Sequence, residues 1–119
     1  MPSGFEVVRS EDCDRDLELI FDYLFATYSG LGDQVWDAFE RAEQRLLKIE
    51  GEIDDLGGIP HQGTLAPLIM TGLRHVTKNS AVFYFIVDES QRRVRVVGVF
   101  FGGQDHRAHI LRRITGKST

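Results

Sequence analysis

The sequence predicts an α+β fold in which an N-terminal strand and an antiparallel two-helix hairpin pack on a small antiparallel β-sheet. Apolar residues recur at helical spacing through residues 17–56 and at strand spacing through residues 72–101. Helices followed by a run of strands are typical of α+β domains. The chain has 119 residues, of which 42% are hydrophobic, so we expect one core and a single domain over residues 1–119.

The first two predicted elements are a strand and a helix. Residues 5–9, with the sequence FEVVR, favour a short β-strand. Ser10 then precedes several acidic residues, and a hydroxyl cap followed by carboxylates is typical of a helix N-terminus. An amphipathic helix is predicted by one apolar face, which contains Leu17, Ile20, Phe21, Leu24, Phe25 and Tyr28.

A second helix is predicted after the break at residues 29–33, with Asp33 available as its cap. Its apolar residues repeat every seven positions, at Val35, Phe39, Ala42, Leu46, Ile49, Ile53 and Leu56. Such a stripe either pairs with another chain as a coiled coil or packs within its own domain. The five-residue connection favours the second arrangement, a helical hairpin. Gly57, Gly58 and Pro60 end the helix.

Three strands are predicted after a connector at residues 59–71, which contains two prolines and a glycine. The β-prone runs occupy residues 72–78, 81–87 and 93–101. Short turns separate them, which predicts an antiparallel meander. Gly102 and Gly103 then favour a tight turn, and Asp105 can cap a short C-terminal helix. The predicted order is therefore β-α-α-β-β-β with a short terminal helix.

Charge is divided unevenly along the chain, whose formal net charge is −4. Residues 1–58 hold five Lys and Arg against fifteen Asp and Glu, whereas residues 59–119 hold nine against three. The basic half indicates either a solvated rim that balances the acidic helices or a surface for an acidic or polyanionic partner.

Several features predict a cytoplasmic protein without a membrane segment. The N-terminal stretch lacks the apolar region of a secretory signal. Residues 56–73 carry no charge, but glycine, proline, histidine and glutamine interrupt them, so we predict no membrane span there. Cys13 is the single cysteine, which excludes an internal disulfide and fits a reducing compartment.

Four stretches of the sequence, taken in order, resemble the RelE/ParE superfamily of toxins from type II toxin–antitoxin systems. They are DRDLELIFDYL at residues 14–24, IPHQG at 59–63, GLRHVTKNSAVFYFIVDE at 72–89 and VFFGGQD at 99–105. The first two are similar to the ParE-like branch, and the four span nearly the whole chain. In the last stretch Phe101 stands where the family usually has histidine, and Gly103 stands where it usually has a basic residue.

The resemblance implies a toxin that a cognate, ParD-like antitoxin neutralises in a hetero-oligomeric complex. For the ParE-like branch it implies a protein inhibitor of DNA gyrase, rather than an enzyme, with roles in growth arrest and plasmid stabilisation. Two alternatives stay open: a RelE-like, ribosome-dependent mRNA endonuclease, and an interaction module without toxicity. We expect no cofactor.

The candidate binding residues form two groups. The basic half supplies the candidate target-binding residues Arg93, Arg95, Arg107, Arg112 and Arg113. Apolar surface left over by the core supplies the candidate antitoxin-binding residues Phe21, Phe25, Phe100 and Phe101. Since Phe100 and Phe101 are neighbours on one strand, they face opposite sides of the sheet, and at least one is a candidate for partner contact.

The endonuclease alternative would be a metal-independent ribonuclease, which needs proton carriers and cations around the phosphate. Its candidate catalytic residues are Arg74, Tyr84 and His106. His75, Arg95 and Arg107 could serve as further proton carriers and cations.

A metal site is not predicted. Asp105, His106 and His109 are close enough in sequence to share a metal ion, but no further cluster of ligands accompanies them. We therefore expect the turn after the last strand to position a binding surface rather than to perform catalysis.

Overall fold

The computed structural model describes residues 4–102 and 104–116. Its elements are β1 (Glu6–Arg9), α1 (Glu11–Gly30), α2 (Val35–Asp55), β2 (Thr64–Leu65), β3 (Leu73–Lys78), β4 (Ala81–Asp88), β5 (Arg93–Phe101) and α3 (His106–Thr115). The α+β class, the two consecutive helices and the terminal helix confirm the prediction. The two-residue strand β2 lies in the connector, where no strand was predicted.

The five strands form one mixed sheet in the order β1-β5-β4-β3-β2. Strands β3 to β5 pair antiparallel as predicted, and β2 also pairs antiparallel with β3. In contrast, β1 pairs parallel with β5 and aligns Glu6 with Arg93. The predicted antiparallel sheet is therefore corrected at this one edge. The reason is topological, because the whole helical hairpin and three strands separate β1 from β5, and such a long crossover permits parallel pairing.

Helices α1 and α2 cover one face of the sheet, which we call the helical face. Ser10 caps α1 as predicted, since its Oγ accepts a hydrogen bond from the Cys13 amide at 3.0 Å. Asp33, the predicted cap of α2, instead accepts a hydrogen bond from Arg41 at 2.6 Å, and the cap position belongs to Gln34. The core beneath the hairpin includes Leu17, Ile20, Leu24, Ile49, Ile53, Phe83, Phe85, Val94 and Val96.

Helix α3 covers part of the opposite face, which we call the outer face. Strand alternation sends Leu73, Tyr84 and Phe100 to this face, where Ile110 of α3 completes a second buried cluster. No helix in the described part of the chain is long and apolar enough to cross a membrane.

The turn before α3 follows the predicted pattern. Gly102 has φ +73°, a left-handed conformation that favours glycine. Gly103 lies outside the described residues. Asp105 caps the helix, because its carboxylate accepts a hydrogen bond from the Ala108 amide at 3.3 Å.

Strand β5 contains a β-bulge, and Gly98 lies beside it where Arg113 of α3 meets the sheet. The register between β4 and β5 shifts at Val97, between the pairs Phe85–Val96 and Tyr84–Gly98. A Cβ atom at Gly98 would lie 3.0 Å from both Arg113 Nη1 and the Phe100 ring. Glycine at this position therefore leaves space for the Arg113 side chain to reach the strand.

Candidate functional site

Four side chains that carry protons or charge meet on the outer face, where β3, β4 and α3 converge. His75 and Tyr84 are paired across β3 and β4, and their ring centroids are 5.5 Å apart. The Tyr84 hydroxyl lies 2.7 Å from Nδ1 of His106, the first residue of α3. Arg107 lines the same groove as His75. We call His75, Tyr84, His106 and Arg107 the histidine cluster.

Burial shifts the pKa values of two groups in the histidine cluster. It lowers the pKa of His75, and the positive charges of His106 and Arg107 lower it further. His75 is therefore predominantly neutral near pH 7 and can accept a proton. Burial also raises the pKa of Tyr84, so that its hydroxyl stays protonated.

The groove beside the histidine cluster has a volume of about 250 Å³, and residues 64–69 form its other wall. This wall is largely apolar, and its residue Leu68 is 94% exposed. Gly63 holds the wall against β3, because its φ is +81° and a Cβ atom there would lie 2.3 Å from the His75 carbonyl oxygen.

Arg74 does not join the histidine cluster. Its side chain leaves the opposite face of β3 from His75, and its Nη1 donates a hydrogen bond to the His61 carbonyl oxygen at 3.0 Å. Of the three candidate catalytic residues, Tyr84 and His106 are thus in contact and Arg74 lies apart. The two-residue period of β3 contained the signal that His75 and Arg74 lie on opposite faces of the sheet, and the register with β4 pairs His75 with Tyr84.

The candidate target-binding arginines differ in whether their side chains form ion pairs or hydrogen bonds with other residues of the chain. Arg93 pairs with Glu6 across β1 and β5 at 2.7 Å, and Arg112 donates a hydrogen bond to a histidine one turn earlier in α3. Arg95 and Arg107 are exposed, and neither has a carboxylate partner within the described ranges. These two side chains are therefore the most available cations of the set.

Arg113 holds α3 against α1 and the sheet. Its Nη1 and Nη2 donate hydrogen bonds to the two carboxylate oxygens of Asp16 at 2.8 and 2.9 Å, and Asp16 is 5% exposed. The same guanidinium donates to the Val97 carbonyl oxygen at 3.0 Å and lies 5.3 Å from the centre of the Phe100 ring. The bond to Asp16 raises the pKa of Arg113. Its contacts therefore give Arg113 a structural role.

Two of the candidate antitoxin-binding residues belong to an exposed cluster of rings near the tip of the hairpin. Phe21 and Phe25 are half-buried, and the Phe39 ring meets them edge-on at 5.3 and 6.4 Å. Trp36 stacks on Phe39 at 6.1 Å and is 75% exposed. We call Phe21, Phe25, Trp36 and Phe39 the aromatic patch.

The aromatic patch continues into an acidic cleft between α1 and α2. Phe21 lines this cleft, which has a volume of about 500 Å³ and a rim that includes Asp14, Glu18, Asp22 and Glu50. The chain's own Arg9 reaches the cleft and pairs with Glu50 at 2.8 Å. The cleft therefore already holds a cation, as an acidic rim favours.

Phe100 and Phe101 face opposite sides of the sheet, as predicted. Phe100 is buried beneath α3, where the His109 ring stacks on it at 5.7 Å. Phe101 is half-buried on the helical face beside Tyr23 and Arg45. Of the two, Phe101 is the more accessible to a partner.

Asp105, His106 and His109 have separate contacts, with Ala108, Tyr84 and Phe100 in turn. In the part of the chain that the structure describes, no group of three or more His, Cys, Asp or Glu side chains could hold a metal ion. The buried Cys13 is no nucleophile near neutral pH, because burial, with Asp16 nearby, raises its pKa to about 12.

Comparison with solved structures identifies the fold. The chain is similar to a structure of the chromosomal ParDE toxin–antitoxin system from P. aeruginosa, with 18% identity and a TM-score of 0.61 over 82% of this chain and 95% of the other. It is also similar to the toxin–antitoxin complex RelBE2 from Mycobacterium tuberculosis, with 12% identity and a TM-score of 0.57 over 85% and 94%. No family model and no curated protein matches the sequence. The resemblance found in the sequence is thus confirmed at the level of the fold.

Proposed function

We propose that this chain is the toxin component of a type II toxin–antitoxin system, that a cognate ParD-like antitoxin neutralises it, and that its target is DNA gyrase. The observation that carries the proposal is the exposed aromatic patch on a chain with this fold, because contiguous exposed apolar side chains mark contact sites for partners. The family resemblance supplies the partner, an antitoxin whose C-terminal segment crosses the hairpin. Gyrase is a cytoplasmic target, so we also propose that the chain acts in the cytoplasm.

The distribution of charge supports separate surfaces for the two partners. The cleft beside the aromatic patch has an acidic rim, whereas the outer face carries the exposed Arg95 and Arg107. Complementary charge guides protein association and determines which partners fit. We therefore assign the antitoxin to the hairpin and the target to the outer face, with Arg112 as a further contact.

The gyrase assignment predicts that the purified chain makes gyrase accumulate double-strand breaks in DNA in the presence of ATP. The double variant Arg95→Glu/Arg107→Glu is expected to lower this effect at least tenfold, because it reverses both exposed cations. Arg15→Glu is the matched control, since Arg15 is an exposed arginine on α1. Gyrase cleavage that stays unchanged with the unmodified chain would contradict the assignment.

The antitoxin assignment predicts a change in the fluorescence of Trp36, the single tryptophan of the chain. Binding of a tryptophan-free antitoxin should shift its emission to shorter wavelengths, because an indole that is 75% exposed becomes buried. Phe39→Ser should weaken binding about tenfold or more by removing apolar contact area. Leu19→Ser is the control, because Leu19 is exposed elsewhere on α1. Tight binding without a shift in emission would place the antitoxin elsewhere.

A second function, the RelE-like ribosome-dependent mRNA endonuclease, is favoured by one observation, the 2.7 Å contact between Tyr84 and His106. Cleavage of mRNA in a translation reaction, without any effect on gyrase, would favour the endonuclease function over gyrase inhibition. Expression of the chain without an antitoxin distinguishes both functions from a non-toxic interaction module, because only a toxin arrests growth.

A further inference from the structure

The groove beside the histidine cluster joins an apolar wall to a cation. Residues 64–69 form the wall, and His75 and Arg107 line the groove with it. We propose that this groove docks a segment of the target protein in which an aliphatic side chain lies beside a carboxylate. The proposal rests on the assignment of the target to the outer face, and it goes further by naming the chemistry of the segment that binds there.

The apolar wall is held in place by the chain itself. The Ala66 amide donates a hydrogen bond to the Leu73 carbonyl oxygen at 2.8 Å, and the Ala66 carbonyl oxygen accepts one from the Ile69 amide at 3.0 Å. Ala66 and Ile69 also pack on the buried cluster of the outer face. Leu68 lies within this turn and is 94% exposed. Because its backbone is already ordered, a partner can bury this side chain without paying for the ordering of the turn.

Arg107 gives the groove a positive charge that no carboxylate of the chain neutralises. Its side chain is exposed, it forms no ion pair within the described ranges, and the described residues that line the groove include no Asp or Glu. Burial, together with the charges of His106 and Arg107, lowers the pKa of His75, which is therefore predominantly neutral near pH 7. A carboxylate is a fitting ligand here, because a guanidinium binds it in a bidentate manner.

The size and the lining of the groove favour a peptide segment over a nucleic acid. Its volume of about 250 Å³ lies below the roughly 300–1,000 Å³ of sites for small organic ligands, so it suits one or two side chains. A nucleic acid strand binds through several cations on its phosphates and through aromatic rings that stack on its bases. The described lining offers one arginine and no Phe, Tyr or Trp. An aliphatic side chain beside a carboxylate matches both the wall and the cation.

The first test measures binding of a peptide probe to the purified full chain by NMR of its backbone amides. The glutamate probe is the acetylated and amidated peptide Gly-Glu-Leu-Glu-Gly, and we expect it to shift the amides of residues 64–69, His75 and Arg107. Gly-Lys-Leu-Lys-Gly should bind about tenfold more weakly or less, because its charges repel the guanidinium. Gly-Glu-Gly-Glu-Gly should also bind about tenfold more weakly, because it has no side chain for the apolar wall.

Variants of the wall and of the cation separate the two contributions. Arg107→Glu should weaken binding of the glutamate probe about tenfold or more and strengthen binding of the lysine peptide, because it reverses the charge. Leu68→Ser should weaken both peptides. Arg15→Glu and Leu47→Ser are the matched controls, since these residues are exposed on α1 and α2, and both variants should bind like the unmodified chain. Single-stranded oligouridine is the competing probe. If it shifts the amides of the groove and the glutamate probe does not, the proposal fails.

The second test locates the docked segment in the complex with gyrase. Leu68→Cys, labelled with benzophenone maleimide, places a photoreactive group on the apolar wall, and the buried Cys13 does not compete for the label. We expect cross-links to a gyrase segment that has an aliphatic residue beside Asp or Glu, and none from the control Leu47→Cys. Cross-links from Leu68→Cys to DNA, or to a segment without a carboxylate, would overturn the proposal.

The docking site and the identity of the target can fail separately. If the unmodified chain leaves gyrase cleavage unchanged, gyrase is not the target, whereas binding of the glutamate probe at the groove still supports the docking chemistry. If the chain acts on gyrase but the glutamate probe leaves the amides of the groove unshifted, the docking site is wrong and the target assignment stands.

Discussion

Arg113→Ala is expected to lower the free energy of unfolding by about 3–5 kcal/mol, because it leaves the carboxylate of Asp16 buried without its charged partner. Asp16 is 5% exposed and keeps only the hydrogen bond from the Val99 amide at 3.0 Å. Chemical denaturation monitored by circular dichroism measures the loss. A loss below about 1 kcal/mol would contradict the structural role of this ion pair.

Two further variants isolate the cause of this loss. Arg112→Ala removes a neighbouring arginine of α3 whose described contact is with His109, so it should change stability by no more than about 0.5 kcal/mol. The double variant Asp16→Ala/Arg113→Ala should be more stable than Arg113→Ala, because it leaves no buried charge unpaired. Because Arg113 stabilises the fold, a loss of toxicity in an Arg113 variant can be assigned to target binding only if the variant is as stable as the unmodified chain.

Gly63→Ala is expected to destabilise the chain by about 2–5 kcal/mol. A left-handed conformation costs a residue with a Cβ atom about 1–2 kcal/mol, and overpacking costs about 1–3 kcal/mol more. Both apply, since φ is +81° and the new Cβ would lie 2.3 Å from the His75 carbonyl oxygen. Thermal and denaturant unfolding measure the total, and hydrogen exchange of the β3 amides locates it.

Gly72→Ala is the matched control for this prediction. Gly72 has nearly the same backbone conformation, φ +85°, but nothing lies within 4 Å of the position of its Cβ. It should therefore cost only the conformational part, about 1–2 kcal/mol. Equal losses for the two variants would show that the close approach of Gly63 to His75 adds nothing to stability.

The order of elements could be predicted because it depends on short-range patterns. The apolar spacing from Leu17 to Tyr28 predicted α1, the hydroxyl of Ser10 predicted its cap, and Asp105 predicted the start of α3. The predicted cap of α2 was wrong by one residue. Gln34 occupies the cap position, and Asp33 pairs with Arg41 in the folded chain. A local rule cannot decide between a cap and a competing ion pair.

The composition of the candidate site could be predicted only in part. Tyr84 and His106 were proposed together and lie in contact, but Arg74, proposed with them, lies on the other face of β3. His75 takes that place because it is paired with Tyr84 across the sheet. The strand period fixed which residues share a face, whereas the register between strands fixed which of them meet.

The sequence by itself determined the α+β class, the helical hairpin, the antiparallel strands and the opposite directions of Phe100 and Phe101, because periodicity and turn residues act over a few positions. Tertiary structure alone decided the parallel pairing of β1 with β5 and the ion pair of Asp16 with Arg113, whose partners are 97 residues apart. Contacts of that kind depend on how whole elements cross and pack. No local pattern of residues encodes that geometry, so only the folded chain reveals which arginines are engaged and which stay available.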